Sequence, residues 1–356
     1  MTQALRYGIP TRRRFGRLRG AVARRGVPAN ALARALRSGR RRDEPELERF
    51  LSRLTEGWGD LDTGGTPCPD VDGMLVLERA SARTIFLFVG DPHPALVCKV
   101  PRESSTIVER EAAALTEAAG TGIAPRFLGI AAGSWVQEGL QGAPLRVEPI
   151  DPVLATSLEW PEGLDELGRG LLGLAAASAK PAPVDGKVRS LLERAASSTG
   201  LTPPTRERIA SALADLERIE IGVLKHSDTS PQNCLFHAGR LSGIVDWEMA
   251  ELDGLPASDV LNAAVSYLEH GIGLSGWSED DIVESFRAGW GRSPFFGHAR
   301  AAARAAASAA GVEESMAPSL EVAFFARRLG RRLVSPDRFP TGPRTAARIL
   351  EIVCGS

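Results

Sequence analysis

Residues 224–236 read LKHSDTSPQNCLF and set His226, Asp228 and Asn233 in a polar loop between two apolar runs. Ile221, Val223 and Leu224 precede the loop, and Cys234, Leu235 and Phe236 follow it. Pro231 keeps the loop from being helical, because its ring fixes φ and removes an N–H donor. Cys234–Phe236 and Leu241–Val245, joined by the turn HAGR, predict a β-hairpin that ends in GIVDWE. Asn233 and Asp246 lie thirteen residues apart across that hairpin. The fold-back can bring both side chains to one of its ends, beside Asp228. Oxygen donors of this kind suit Mg²⁺, which takes one or two carboxylates plus substrate phosphates.

Upstream of the loop the pattern changes. Met74–Leu77, Thr84–Val89 and Ala95–Val100 are β-type runs with short breaks and predict an antiparallel meander. A helix over Thr106–Ala119 follows, with Ile107, Ala112, Leu115 and Ala118 at helical spacing, then strands at Arg126–Ile130 and Trp135–Glu138. Beyond Pro144 the strand signals nearly vanish. Helices are expected over Leu164–Ala177, Lys187–Ser197, Arg206–Ile219, Ser258–His270, Glu279–Ala288, His298–Ala310, Leu320–Leu333 and Arg344–Val353. The expectation is an α+β chain with a small β-rich lobe over residues 73–144 and a larger helical lobe over 145–356. Residues 43–72 add a helix (Glu44–Leu54) and a loop.

The small lobe holds Lys99 inside the apolar strand VCKV. Only four of the forty-three basic residues are Lys, so its use here is informative. Lys is a compact point charge suited to a phosphate oxygen. A buried lysine needs a partner, and Glu111 on the following helix is the candidate.

H-S-D-T-S-P-Q-N, followed by D-W-E, resembles the aminoglycoside phosphotransferase and choline kinase superfamily, small-molecule relatives of the protein kinases. V-C-K-V with Glu111 and the segment I-A-P-R-F-L-G match the same pattern, and the resemblance spans roughly residues 73–350. It implies a protein-kinase-like two-lobed fold and a Mg·ATP-dependent phosphotransferase acting on a hydroxyl of an amino sugar, sugar or amino alcohol. By resemblance, Asp228 is the catalytic base, Asn233 and Asp246 are Mg²⁺ ligands, and Lys99, fixed by Glu111, holds the ATP phosphates. His226 supports the loop, Asp259 braces it from below, and the hinge residues Gln137, Glu138 and Leu140 offer backbone groups to adenine. Two departures stand out. Ser227 occupies the middle of a His-Gly-Asp pattern, and the turn RASARTIF has no glycine, leaving backbone N–H groups near Ser81 and Arg83 to meet phosphate.

Blander readings compete for single residues: an Asx turn for Asp228, a strand-end cap for Asp246, a surface ion pair for Lys99–Glu111, a helix-terminal charge for Asp259. The joint spacing favours the site. A nucleotide-binding pseudokinase and a protein-kinase-like regulator are the rival functions. The intact Lys99, Asp228, Asn233 and Asp246 argue against the first; the lack of D-F-G and A-P-E segments argues against the second.

Net charge is −1, yet residues 1–42 carry thirteen Arg and no acid, leaving −14 on the rest. That arm reads either as a solvated, partly disordered leader with a short helix over Ala31–Ser38, or as an anchor for an anionic surface or partner. The acidic body argues against nucleic acid as the main ligand. No apolar run approaches bilayer length, and Cys68, Cys98, Cys234 and Cys354 show no metal spacing, so a cytoplasmic protein with reduced thiols is expected. Residues 248–286 hold nine acids and no Lys or Arg. Glu248 and Glu251 are their first carboxylates, and if they line the acceptor pocket they favour an amino-bearing acceptor. If the Arg-rich C-terminal helices form the wall, an anionic acceptor fits better.

Overall fold

A computed structural model describes residues 5–10, 44–71, 73–78, 82–90, 93–102, 106–276, 278–336 and 341–355. The chain packs as two compact units, Met1–Leu145 with Gln232–Met249, and Arg146–Pro231 with Ala250–Ser356. The predicted hairpin therefore groups with the β-rich residues rather than with the helical ones, where the sequence boundary at residue 145 had placed it.

In the first unit, strands β1 (Leu5–Pro10), β2 (Gly73–Glu78), β3 (Ala82–Phe88), β4 (Pro94–Pro101), β5 (Phe127–Ala131) and β6 (Ser134–Glu138) form one sheet in the order β1-β2-β3-β4-β6-β5. Every pairing in it is antiparallel. β1 lies in the Arg-rich arm, where no strand was expected. The arm's predicted helix, Ala31–Ser38, lies outside the described residues. Helix α1 (Glu44–Glu56) places Phe50 and Leu54 one turn apart, and both join a core with Met74, Val76, Ile85, Leu87, Cys98 and Val136. Phe50, Leu54 and Leu61 thus belong to the sheet's own core, with Leu51 and Trp58 packed against it. Helix α2 (Thr106–Glu117) follows β4. A second, three-stranded sheet joins β7 (Ala143–Pro144), β10 (Cys234–His237) and β11 (Arg240–Ile244).

The second unit is helical: α3 (Glu162–Ser178), α4 (Gly186–Ala196), α5 (Pro203–Leu216), α6 (Ser258–Leu274), α7 (Glu279–Gly289), α8 (Pro294–Ala309), α9 (Ala317–Val334) and α10 (Pro343–Cys354). Helix α9 is the most enclosed and packs against α4, α5, α6 and α10. The close approach to α4 requires Gly330, since a Cβ there would stand 2.3 Å from the Leu191 carbonyl oxygen. Phe286 and Trp290 stack on each other and meet Phe296 and Phe325 edge-to-face or tilted in this core, arrangements favoured by aromatic quadrupoles. A small sheet runs β12-β9-β8, from Glu251–Gly254, Ile221–Lys225 and Lys180–Pro181. β9 is the apolar run ahead of the polar loop, and it ends at the loop's threshold. Among the described residues no helix is long and apolar enough to cross a membrane, and all four cysteines are free thiols.

Candidate active site

In the first unit the site is built on Lys99. Its strand pairs with β3 on one side and β6 on the other, so the residue sits mid-sheet and is 8% exposed. Lys99 Nζ donates to Glu111 Oε1 at 2.6 Å and Oε2 at 2.8 Å, and to Asp246 Oδ1 at 3.0 Å. Burial by itself would lower the Lys99 amine; Asp246, then Glu111, reverse this and hold it above its ordinary value, so it is a cation. The same burial pushes the Glu111 carboxyl up against the pull of Lys99. One ammonium serves two carboxylates here, and the more deeply buried of them bears the cost.

Asp246 lies two residues past the end of β11, not at the strand's last position, with φ of 72°. Asp tolerates this left-handed conformation better than most residues. Val245 N–H donates to the Asn233 carbonyl at 2.9 Å, next to the Cys234–Ile244 pair. Asn233 and Asp246 therefore stand at the open end of one hairpin, both half-buried. Among the described residues no three His, Cys, Asp or Glu cluster as a metal site. Two oxygen donors are nevertheless the number Mg²⁺ takes from protein when phosphates complete its shell. A further observation fits a phosphate-bearing ligand. Thr84 pairs with Lys99 across β3 and β4 and shares its face of the sheet. Thr84 Oγ1 is buried without a hydrogen-bond partner, and a buried hydroxyl in that state costs free energy until something meets it.

The hinge is already partly committed. Glu138 N–H donates to the Arg126 carbonyl and Gly139 N–H to the Ala95 carbonyl, so of the three expected hinge residues Leu140 is the one beyond the sheet pairing. Gln137 is buried in β6. Arg83 pairs with Val100, one residue along from Lys99 and hence on the opposite face. Ser81 lies outside the described residues.

In the second unit the polar loop is held from beneath. Asp259, in the first turn of α6, accepts from His226 N–H at 2.5 Å and Ser227 N–H at 2.9 Å. A helix N-terminus favours a carboxylate there. Thr229 Oγ1 donates to the Asp259 carbonyl, and Asn262 Nδ2 donates to Thr229 Oγ1. His226 is fully buried, and its Nδ1 accepts from Asp228 N–H at 3.2 Å. Asp228 itself is half-buried. The supports His226, Ser227, Thr229 and Asp259 are buried, and the residue they carry is less so.

A group of residues that the sequence reading passed over lies beside this loop. Lys225, at the end of β9, is 4% exposed. Burial first, and then Arg327, push its amine down to about 7. Lys225 closes the apolar run IGVL much as Lys99 sits in VCKV, so the sequence carries a similar signal for both, a lysine in an apolar strand. Glu251 bonds Arg327, Arg331 Nη2 at 2.8 Å and Ser227 Oγ at 3.0 Å. Burial alone would raise its carboxyl, but Lys225, Arg327 and Arg331 hold it well below the carboxylate range. Glu251 is thus not a free acceptor-lining carboxylate, as the charge count had suggested; cations already surround it. Glu248 stands close enough to raise Glu111, which places it by the Lys99 pair. The basic helix FFARRLGRRL is a packed core helix whose Arg327 and Arg332 point inward, each 3% exposed.

One unit thus holds a lysine between two carboxylates on a β-sheet, and the other holds a loop carrying Asp228 braced on a helix by Asp259. A model of the phosphotransferase enzyme family (APH) matches residues 75–304, and the chain belongs to that family. No curated protein matches it. Similar solved structures include a choline/ethanolamine kinase family protein from Mesorhizobium loti, at 16% identity and TM-score 0.45, covering 86% of this chain and 94% of that one. The macrolide 2′-phosphotransferase MphH from Brachybacterium faecium is 19% identical with TM-score 0.43, covering 83% and 97%. A thermostable mutant of aminoglycoside phosphotransferase APH(4)-Ia, in ternary complex with AMP-PNP and hygromycin B, is 16% identical with TM-score 0.46, covering 86% and 97%. The family assignment rests on the family match.

Proposed function

We propose that this phosphotransferase moves the γ-phosphate of Mg·ATP to a hydroxyl group of a small molecule, an amino sugar, sugar or amino alcohol. The observation that carries the reading is Lys99 held by Glu111 and Asp246 beside an unsatisfied Thr84 hydroxyl. Lys99 binds phosphate oxygens, and Glu111 fixes where its ammonium points. Asn233 and Asp246 supply the oxygen ligands for the metal. Bound Mg²⁺ supplies charge neutralisation on the transferring group. Asp228 accepts a hydrogen bond from the acceptor's O–H, orients its oxygen and takes its proton as the new O–Pγ bond forms and the bond from Pγ to the bridging oxygen of ADP breaks, releasing ADP. A positioned general base is worth about 10²–10⁴-fold.

Calorimetric titration of ATP in the presence and absence of Mg²⁺ tests the nucleotide half of this reading. Wild-type protein is expected to bind ATP more tightly with Mg²⁺, and Asp246→Ala to lose that difference. Lys99→Ala should weaken binding about tenfold, as expected on losing a charge-assisted hydrogen bond. Equal affinity with and without Mg²⁺ in the wild type would overturn the metal assignment.

A further inference from the structure

Ser227 stands directly before Asp228 with φ of 69°. That is left-handed backbone, which strains a residue with a Cβ and leaves glycine unstrained. Something must hold Ser227 there. Asp259 takes its N–H, and Glu251 takes its Oγ. Glu251 is itself fixed. Arg327 and Arg331 reach it from α9, and Lys225 Nζ stands 3.9 Å from its Oε2. Among the described residues, Arg327 bonds no hydrogen-bond partner through Nε or Nη1, so its contact with Glu251 decides its placement. β12 brings Glu251 this close only because Gly254 has no side chain, since a Cβ there would lie 2.6 Å from Lys225 Cβ.

We propose that Glu251 is a positioning residue for phosphoryl transfer: gripped by Arg327 and Arg331, it holds the Ser227 hydroxyl and thereby fixes the left-handed turn that presents Asp228. The inference rests on the functional reading above, in which Asp228 is the base. It explains how this chain keeps a serine where glycine would be unstrained. The hydroxyl returns as a tether what the Cβ costs as strain. Glu251 never touches substrate; its effect reaches the reaction through one hydrogen bond and one backbone turn.

Three variants separate this from a merely structural ion cluster. Ser227→Ala keeps the strained φ and removes the tether. Ser227→Gly removes both. Glu251→Gln weakens the grip on both sides. Hydrogen–deuterium exchange of the amides at 226–229 and ADP release with Mg·ATP are measured for each, with thermal unfolding as a folding check. Ser227→Ala is expected to exchange faster at 226–229 and to lose about tenfold or more in kcat, the scale of a small misplacement. Its KM for ATP should stay within about twofold, because uniform nucleotide binding is untouched. Ser227→Gly should recover part of that rate, and Glu251→Gln should cost much less in the Ser227→Gly background than alone. Ser227→Ala that matches wild type in exchange and turnover overturns the proposal. So does a Glu251→Gln penalty equal in both backgrounds, since Glu251 would then act by another route. A wild-type protein that releases no ADP with any acceptor would refute the phosphotransferase reading, while the exchange comparison would still judge the tether.

Discussion

Lys99 and Lys225 are both buried, which by itself lowers each amine, and different sets of charges surround them. Lys99 faces two carboxylates and stays charged; Lys225 faces Arg327 and Arg331 as well as Glu251 and Asp259, and its amine falls to about 7. Below that pH the amine is protonated in both folded and unfolded chains; above its ordinary value of 10.5 it is neutral in both. Between the two, the folded state holds fewer protons, so Lys225 makes stability rise with pH and fall as pH drops toward 7. The unfolding midpoint of wild type minus that of Lys225→Met should therefore climb between pH 7 and pH 10, and a flat difference would contradict the shift. At Lys99 the test is coupling. Lys99→Ala and Glu111→Ala should each slow turnover about tenfold or more, and the double variant should lose clearly less than their product, because each removes the same contact. Strict multiplicativity would show that Glu111 does not act through Lys99.

At the scale of elements, the periodic segments were legible and the short ones were not. α1, α2 and the meander strands β2–β4 lie within about two residues of the ranges their apolar spacing predicts, the usual uncertainty of element ends. β9 and β12 escaped because neither alternates. β9 is a nearly continuous apolar run buried on both faces, which periodicity cannot tell from a core helix, and β12 is only four residues with two acids. The loop residues His226, Asp228, Asn233 and Asp246 were legible as a spacing. Glu251 with Arg327 was not, because a pair seventy-six residues apart carries no local signal. The hinge gives an element-scale prediction. Gly139 passes so close to β4 that a Cβ would lie 1.8 Å from the Pro94 carbonyl oxygen. Gly139→Ala should destabilise the protein by about 1–3 kcal/mol, as overpacking does, and weaken ATP binding with it. A variant that unfolds and binds ATP like wild type would show that this approach is not needed.

For the whole molecule, the residues assigned to the proposed reaction are divided between the two compact units. One carries the cation with its paired carboxylates and the two oxygen donors. The other carries the braced loop with Asp228. The chain crosses between units twice around the loop and hairpin, at 231–232 and 249–250. A contiguous motif in sequence is thereby divided between two packing units; the break at 145–146 lies within a residue of the point where strand signals vanish, but a single boundary there cannot return the hairpin to the first unit. The charge count misled for a related reason. The acids of 248–286 and the arginines of α9 read as separate surfaces in the sequence, yet they neutralise one another at Glu251–Arg327 and Glu269–Arg328. Acceptor choice must therefore be read by experiment rather than from net charge. The most direct measurement of the central claim is ADP release with Mg·ATP across amino sugars, neutral sugars, amino alcohols and their phosphorylated counterparts, run in parallel on wild type and Asp228→Asn. The account predicts acceptor-dependent ADP release by wild type and at least about a 10²-fold loss in Asp228→Asn with ATP affinity retained. Near-normal turnover by Asp228→Asn would contradict it.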